Sequence, residues 1–314
     1  MKLNKNLFLL ILIVSTMAIA QKKIAVTIDD LPLQRATIYS KERNEFVSQK
    51  LIENLSSQKV PIIGFVNEGK LYTNNTLDNN KVELLKQWLN VGFELGNHTF
   101  SHKSANEISV DEFTKDILRG EQITKPLMKT YEKQIRYFRH PFLHTGLSLE
   151  AKNAINSFLI QHGYIIAPVT LDNSEWIYAA AYDKAIKEKN NEMMLKVGED
   201  YLKYMKLKLE YWESQSAALF GRNISHTLLI HANALNAEYF DELCDMIRNK
   251  SYEFVSLEEA LKDEAYKSSD TFIKNNGISW IHRWAITQGK KGSFFGDEPE
   301  SSKWVNDYAG ISYE

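Results

Sequence analysis

Cysteine is nearly absent. Cys244 is the one thiol in 314 residues, so no internal disulfide can form and stability has to come from core burial. Within Tyr239-Phe240-Asp241-Glu242-Leu243-Cys244-Asp245-Met246-Ile247 it falls on the apolar side of a helix, the place of an inert thiol. An excess of one charge is lacking too: the net charge is -2 and there is no long basic run, which removes the electrostatic footprint of a nucleic-acid binder. No Gly-rich loop offers the phosphate nest that a metal phosphoesterase would want. The apolar run Leu7 to Val14 is well short of the ~20 residues that a membrane span needs.

That short run has a different reading. Lys2 and Lys5 precede it, and Ala18-Ile19-Ala20 has the small-x-small form cut by signal peptidase. Residues 1–20 are expected to be a signal peptide, with an exported, periplasmic or extracellular product and no span after cleavage. No Cys follows Ala20, which excludes lipoprotein attachment there.

The rest has the composition of a globular protein, 44% hydrophobic and 25% charged, with length for one large α/β domain or two small ones. Lys22 to Ile28 reads as a strand running into Asp29-Asp30-Leu31-Pro32. Amphipathic helices are expected over 41–58, 78–90, 108–131, 148–162 and 234–249. Between them fall strands at 60–66, 91–95, 135–142, 164–169, 227–230 and 252–257, the rhythm of βαβ units. Residues 179–220 read as a helical insertion, and after about 265 the pattern weakens into a tail with Trp280, His282, Trp284 and Trp304, which packing explains better than a sugar site.

Candidate chemistry gathers at the strand ends. His98 and His102 in Gly96-Asn97-His98-Thr99-Phe100-Ser101-His102 are four apart, which places both imidazoles on one side of a helical turn where they can share a metal. The same spacing serves surface and core pairs; the preceding strand and the Gly96-Asn97 turn favour a site. A carboxylate is the usual third ligand of a hydrolytic metal, and Asp29-Asp30 supplies one. Adjacent residues at a strand end point to different sides, one for metal and one for substrate, unless the pair merely caps a turn. Arg139 ends a strand where its guanidinium can reach a carboxylate and hold it ionised, while Arg136 is a surface residue. His140 and His144 lie near enough in sequence to touch substrate; His162, His226 and His282 read as structural.

Five stretches then fall in order: Thr27-Ile28-Asp29-Asp30, His98-Thr99-Phe100-Ser101-His102, Arg139-His140-Pro141-Phe142, Asp172-Asn173-Ser174-Glu175-Trp176 and Leu228-Leu229-Ile230-His231. Together they resemble the polysaccharide deacetylases of carbohydrate esterase family 4, the NodB-like domain. The resemblance implies an α/β fold, a distorted (β/α)7 barrel over residues 21–261 carrying the insertion 179–220, with an aromatic-rich extension 262–314 packed on it. It implies Asp30, His98 and His102 as ligands of a divalent metal, most commonly Zn2+, and Asp29 as the base that takes a proton from the attacking water. Arg139 would keep Asp29 ionised, His231 would be the acid, and Asp172 would orient and charge it. Phe142, Trp176 and Leu228 would face the substrate, the last two around the acetyl methyl, and a backbone N–H near Phe142 would share the oxyanion.

Leu31-Pro32 after the second Asp and Phe142 in the third motif depart from many relatives at the substrate rim, and the Asn-rich run after His231 resembles a subset of the family. The implied activity is removal of N-acetyl groups from an amino-sugar polymer or oligomer, chitin-like or peptidoglycan-like. An O-acetyl polysaccharide esterase and a non-catalytic carbohydrate-binding barrel are the alternatives.

Overall fold

The computed structural model describes residues 21–35 and 40–312. The expected signal peptide lies outside the described residues. Among those described, no helix is long and apolar enough to cross a membrane.

The chain runs β1 (Lys22–Leu31), α1 (Lys41–Ser57), β2 (Ile62–Val66), β3 (Tyr72–Thr73), β4 (Thr76–Leu77), α2 (Asn79–Asn90), β5 (Glu94–Asn97), α3 (Val110–Arg119) and α4 (Thr124–Thr130). It continues through β6 (Tyr137–Phe138), α5 (Leu149–Gln161), β7 (Ile165–Ile166), α6 (Glu175–Lys187), α7 (Asn191–Phe220), β8 (His226–His231), α8 (Ala234–Asn249), β9 (Tyr252–Phe254), α9 (Leu257–Ala260), α10 (Trp280–Thr287) and α11 (Lys303–Ala309).

Strand β1, apolar on both faces from Ile24 to Ile28, is the centre of the sheet, as its nearly uninterrupted burial requires. The order is β7-β6-β5-β2-β1-β8, with β9 also on β1, and every pairing is parallel. The sheet curls into a half-barrel, and an isolated bridge between Leu171 and Leu228 links the segment after β7 to β8. This is the expected α/β class in a more open form. β3 and β4 make a separate antiparallel hairpin.

Several boundaries differ from the sequence reading, each for a local reason. β6 and β7 keep only two residues each: Pro141 turns the chain after one, and after the other the chain leaves β6 for β8, where Thr170 and Leu171 N–H donate to Thr227 O. The helix expected over 108–131 is two, parted after Gly120; a capping box between Ser109 and Glu112 starts the first. The expected insertion begins earlier than 179, since α6 starts at Glu175 inside the fourth motif. Asn190 caps the start of α7, its side chain accepting the Met193 N–H. Val197, Tyr201, Leu209 and Trp212 are buried on α7, as their helical spacing required.

The tail is ordered packing. Trp280 N–H donates to Val169 O, Ser279 Oγ donates to Thr170 O at 2.9 Å, and Trp284 and Val305 are fully buried.

Candidate metal and acid–base site

The C-terminal ends of β6, β5, β2, β1 and β8 follow one another along the parallel sheet. In the register of β1 with β8, Asp29 pairs with His231, and Asn97 at the end of β5 pairs with Phe138 of β6. The expected motifs therefore meet at one edge of the sheet.

At Asp29-Asp30 the strand does not simply alternate. The register shifts between Ile28 and Leu31 and Asp30 takes a left-handed backbone, φ 72°. This bulge brings both carboxylates into the same cavity instead of sending them to opposite faces. Asp29 Oδ2 is 3.4 Å from Arg139 Nη1 and 3.7 Å from His98 Nε2. Burial pushes its carboxyl up to about 6, and the opposing pull of Arg139 only partly offsets this. Arg139 pulls the Asp29 carboxyl down, but burial is the larger effect. The guanidinium is itself fully buried, donating from Nη2 to Thr27 Oγ1 at 2.8 Å and lying over the Phe65 ring. At Asp30 burial also pushes upward, yet Lys70 and the neighbouring imidazoles hold this carboxyl well below the usual range.

The histidine pair sits on a loop after β5, not on a helical turn; β5 itself takes in Gly96 and Asn97, which the sequence reading gave to the turn. Asn97 fixes the loop. Its Nδ2 donates to Ile117 O at 2.9 Å and Tyr164 Oη at 2.8 Å, and its Oδ1 accepts the Thr99 N–H at 2.7 Å. Thr99 and His102 both have left-handed backbones, and Thr99 Oγ1 accepts the His102 N–H at 3.0 Å. The chain reverses within four residues, leaving the two imidazole centroids 4.8 Å apart. Behind the loop, a Cβ on Gly120 would stand 2.5 Å from the Thr99 carbonyl carbon, so this helix end is glycine for space.

Asp30, His98 and His102 offer ligand atoms all within 4.8 Å of one another. His98 Nδ1–H donates to Arg139 O at 2.8 Å, which fixes the tautomer and leaves Nε2 as an acceptor towards the cavity. Asp30 Oδ1 is buried without a hydrogen bond; Lys70 Nζ stands 3.1 Å from it as an ion partner while directing its hydrogen bond to Asp30 O. An unsatisfied carboxylate oxygen beside two neutral imidazoles, both pushed down by burial, fits a divalent cation with nitrogen and oxygen ligands.

Across the cavity, the carboxylate on His231 is Glu175. His231 Nδ1–H donates to Glu175 Oε2 at 2.8 Å. The other oxygen, Oε1, accepts from Asn233 Nδ2 at 2.5 Å and Asn236 Nδ2 at 2.6 Å, and Tyr201 Oη donates to Asn236 Oδ1 at 2.8 Å. Burial of His231 pushes its pKa down, but Glu175 outweighs this and the net direction is up. This corrects the expectation that Asp172 orients His231. The reason is local: Asn173 Nδ2 donates to Leu229 O at 2.7 Å, and its Oδ1 accepts the Glu175 N–H at 3.0 Å. That turn swings the first residue of α6 towards β8. Asp172 Oδ1 instead accepts the Asn173 N–H at 2.9 Å, and burial lifts its carboxyl to about 6.

Asp29, Asp30, His98, His102, Phe142, Asp172, Trp176 and His231 line one cavity of about 500 Å3. Leu229, not Leu228, completes its wall; side chains two apart share a strand face, so Leu229 goes with His231 and Leu228 with the opposite face. His140 does not line it. Its ring is buried against Phe138 and Phe113, at 5.0 and 6.1 Å between centroids, and His144 Nδ1 is engaged with Ser104 Oγ at 2.8 Å. Glu175, Leu229 and Lys70 are the site residues that the sequence reading missed. The first two stood inside quoted motifs, whereas Lys70 had no sequence signal.

Residues 18–158 match the family model described as polysaccharide deacetylase. Among solved structures the chain resembles the polysaccharide deacetylase Bc1974 from Bacillus cereus, with a TM-score of 0.51 and 14% identity, covering 75% of this chain and 92% of that one. It also resembles a mutant of BA3943 from Bacillus anthracis, a CE4 family pseudoenzyme with restored enzymatic activity, with a TM-score of 0.50 and 14% identity over 77% and 68% of the two chains. The comparison with curated proteins gives no match. At such identities the structures bear on fold alone, while the sequence match takes in the first three motifs. The chain thus matches the polysaccharide deacetylase family in sequence over residues 18–158 and resembles solved structures of such deacetylases in fold beyond them.

Proposed function

We propose that the protein is an exported, metal-dependent deacetylase that hydrolyses N-acetyl groups of an amino-sugar polymer or oligomer and releases acetate. The observation that carries this reading is the pairing of Asp29 with His231 on neighbouring strands, with Asp30, His98 and His102 in the same cavity. Amide hydrolysis needs an activated water, a sink for the oxyanion and a proton for nitrogen. Export rests on the form of residues 1–20.

Asp30, His98 and His102 would hold the cation, with zinc the first choice for two imidazoles and one carboxylate. When bound it would supply Lewis acidity and a lowered water pKa. Asp29, with its carboxyl near 6, is a base suited to neutral pH and takes the proton of the attacking water. Arg139 holds its other side and keeps it aimed. His231 has Nδ1 committed to Glu175, which leaves Nε2 to pass a proton to the leaving nitrogen. Trp176 and Leu229 would enclose the acetyl methyl, and Phe142 would form the rim. A nitrogen leaving group needs that proton far more than an alkoxide does, so the anchored His231 favours N- over O-deacetylation.

The test is acetate release by metal-reconstituted protein, beside Asp30→Ala, from N-acetylglucosamine oligomers, peptidoglycan and acetylated xylan. Release from the amino sugars that disappears in the variant is expected. Release from xylan alone would replace the amide reading with the ester one. Metal binding without release from any substrate would leave a non-catalytic carbohydrate-binding barrel.

A further inference from the structure

The C-terminal extension lies outside the family match, yet it reaches the cavity. Gly277 lines it together with Phe142 and Leu143. Phe142 and Leu143 both hold left-handed backbones, φ 56° and 57°, a conformation that side-chain-bearing residues keep only when their surroundings impose it. The surroundings here are the extension. Arg283 is fully buried; its Nη2 donates to Leu143 O, its Nη1 to Thr145 Oγ1 at 3.0 Å and its Nε to Ile278 O at 3.0 Å. Its charge is met by Asp270 Oδ2 at 3.7 Å, which also pairs with Lys152 at 2.6 Å, and its plane lies over Trp280. From the other side the Gly277 backbone closes on the turn: a Cβ there would be 1.8 Å from Phe142 O. The ring of Phe142 in turn packs edge-on against His102, 4.5 Å between centroids.

We infer that the extension completes the active site, with Arg283 as a positioning residue that holds the Phe142-Leu143 turn against His102. Only a guanidinium fork reaches the Leu143 carbonyl, the Thr145 hydroxyl and the Ile278 carbonyl at once; an ammonium keeps the charge and loses the geometry. The turn carries the rim residue Phe142 and, on the deacetylase reading, the backbone N–H that would share the oxyanion, so its displacement would act on chemistry more than on substrate affinity. The inference rests on the deacetylase reading of this site.

The experiment compares wild type, Arg283→Gln, Arg283→Lys and Gly277→Ala for kcat, KM and the visible spectrum of the cobalt(II)-loaded protein, with Tm as the control for folding. Arg283→Gln and Gly277→Ala are expected to lower kcat about tenfold or more, change KM less, and shift the cobalt bands as His102 loses its packing partner. Arg283→Lys should recover part of both. Gly277→Ala leaves every Arg283 donor in place, so it decides the matter if Arg283→Gln does not fold. Folded variants with wild-type kcat and wild-type cobalt bands overturn the inference. A wild type that takes up cobalt but releases no acetate sinks the deacetylase reading, while the spectra of the variants still decide whether the extension holds the turn.

Discussion

Replacing Glu175 by Gln tests the acid–base half of the site most directly. Both oxygens of Glu175 only accept hydrogen bonds: Oε2 from His231 Nδ1, and Oε1 from Asn233 and Asn236. A Gln amide offers one acceptor and one NH2, so either its NH2 meets the Asn233 and Asn236 donors, or it faces His231 and can be met only by the neutral Nε2–H tautomer, never by the imidazolium. Loss of a charge-assisted hydrogen bond is worth ~1.5–3 kcal/mol, which corresponds to about 10- to 150-fold in kcat/KM for amide substrates. The pH dependence has a definite sign. Glu175 raises the pKa of His231, so its removal lowers it, and the basic limb of the kcat/KM profile moves to lower pH. A raised histidine pKa stabilises the fold at low pH, and that contribution is lost as pH rises through the folded value. The variant should therefore lose stability below the ordinary histidine range and approach wild type above it. Acetate release across pH 5–9 and thermal denaturation at both ends check this. A profile unmoved in Glu175→Gln but moved in Asp172→Asn would refute the reasoning and restore Asp172 as the partner of His231.

Three further outcomes are expected. Asp172→Asn should stabilise the fold by ~1–3 kcal/mol near pH 7.5 and by little near pH 3. The wild-type carboxyl is raised to about 6, so it favours the folded state only below its ordinary range and ceases to do so as pH climbs through 6; equal Tm differences at both pH values would contradict this. Gly120→Ala should weaken metal binding roughly 10- to 100-fold, as disturbed outer-shell support does, because the added Cβ presses on Thr99 between the two histidines; calorimetry with Zn2+ reads it, and an unchanged Kd counts against the loop's dependence on Gly120. Lys70→Met should tighten metal binding by roughly tenfold, since an ammonium 3.1 Å from the Asp30 ligand oxygen repels an incoming cation. Weaker binding in that variant would mean that Lys70 chiefly keeps Asp30 ionised and in place.

Much of the candidate site was legible because the proposed chemistry draws on few residue types, and in this chain they stand at strand ends: Asp29-Asp30 near the end of β1, His98 and His102 after β5, His231 at the end of β8. Parity along a strand would also have separated Leu229 from Leu228, had it been applied to His231. Lys70 was not legible. It lies after β2 in a segment with no motif, and its meeting with Asp30 is a long-range contact.

The β/α rhythm, the buried strand Ile24 to Ile28 and the presence of residue types able to bind metal and move protons were determined by the sequence alone, because periodicity and side-chain chemistry are local properties. The tertiary structure decided which groups meet. The bulge at Asp30 put two neighbouring carboxylates in one cavity, and the Asn173 turn gave His231 to Glu175 rather than Asp172. Arg283, from a tail without recognisable pattern, took hold of the Phe142-Leu143 turn. They depend on where the chain bends and turns and on contacts between residues 56 to 140 positions apart, none of which is a function of spacing along the sequence.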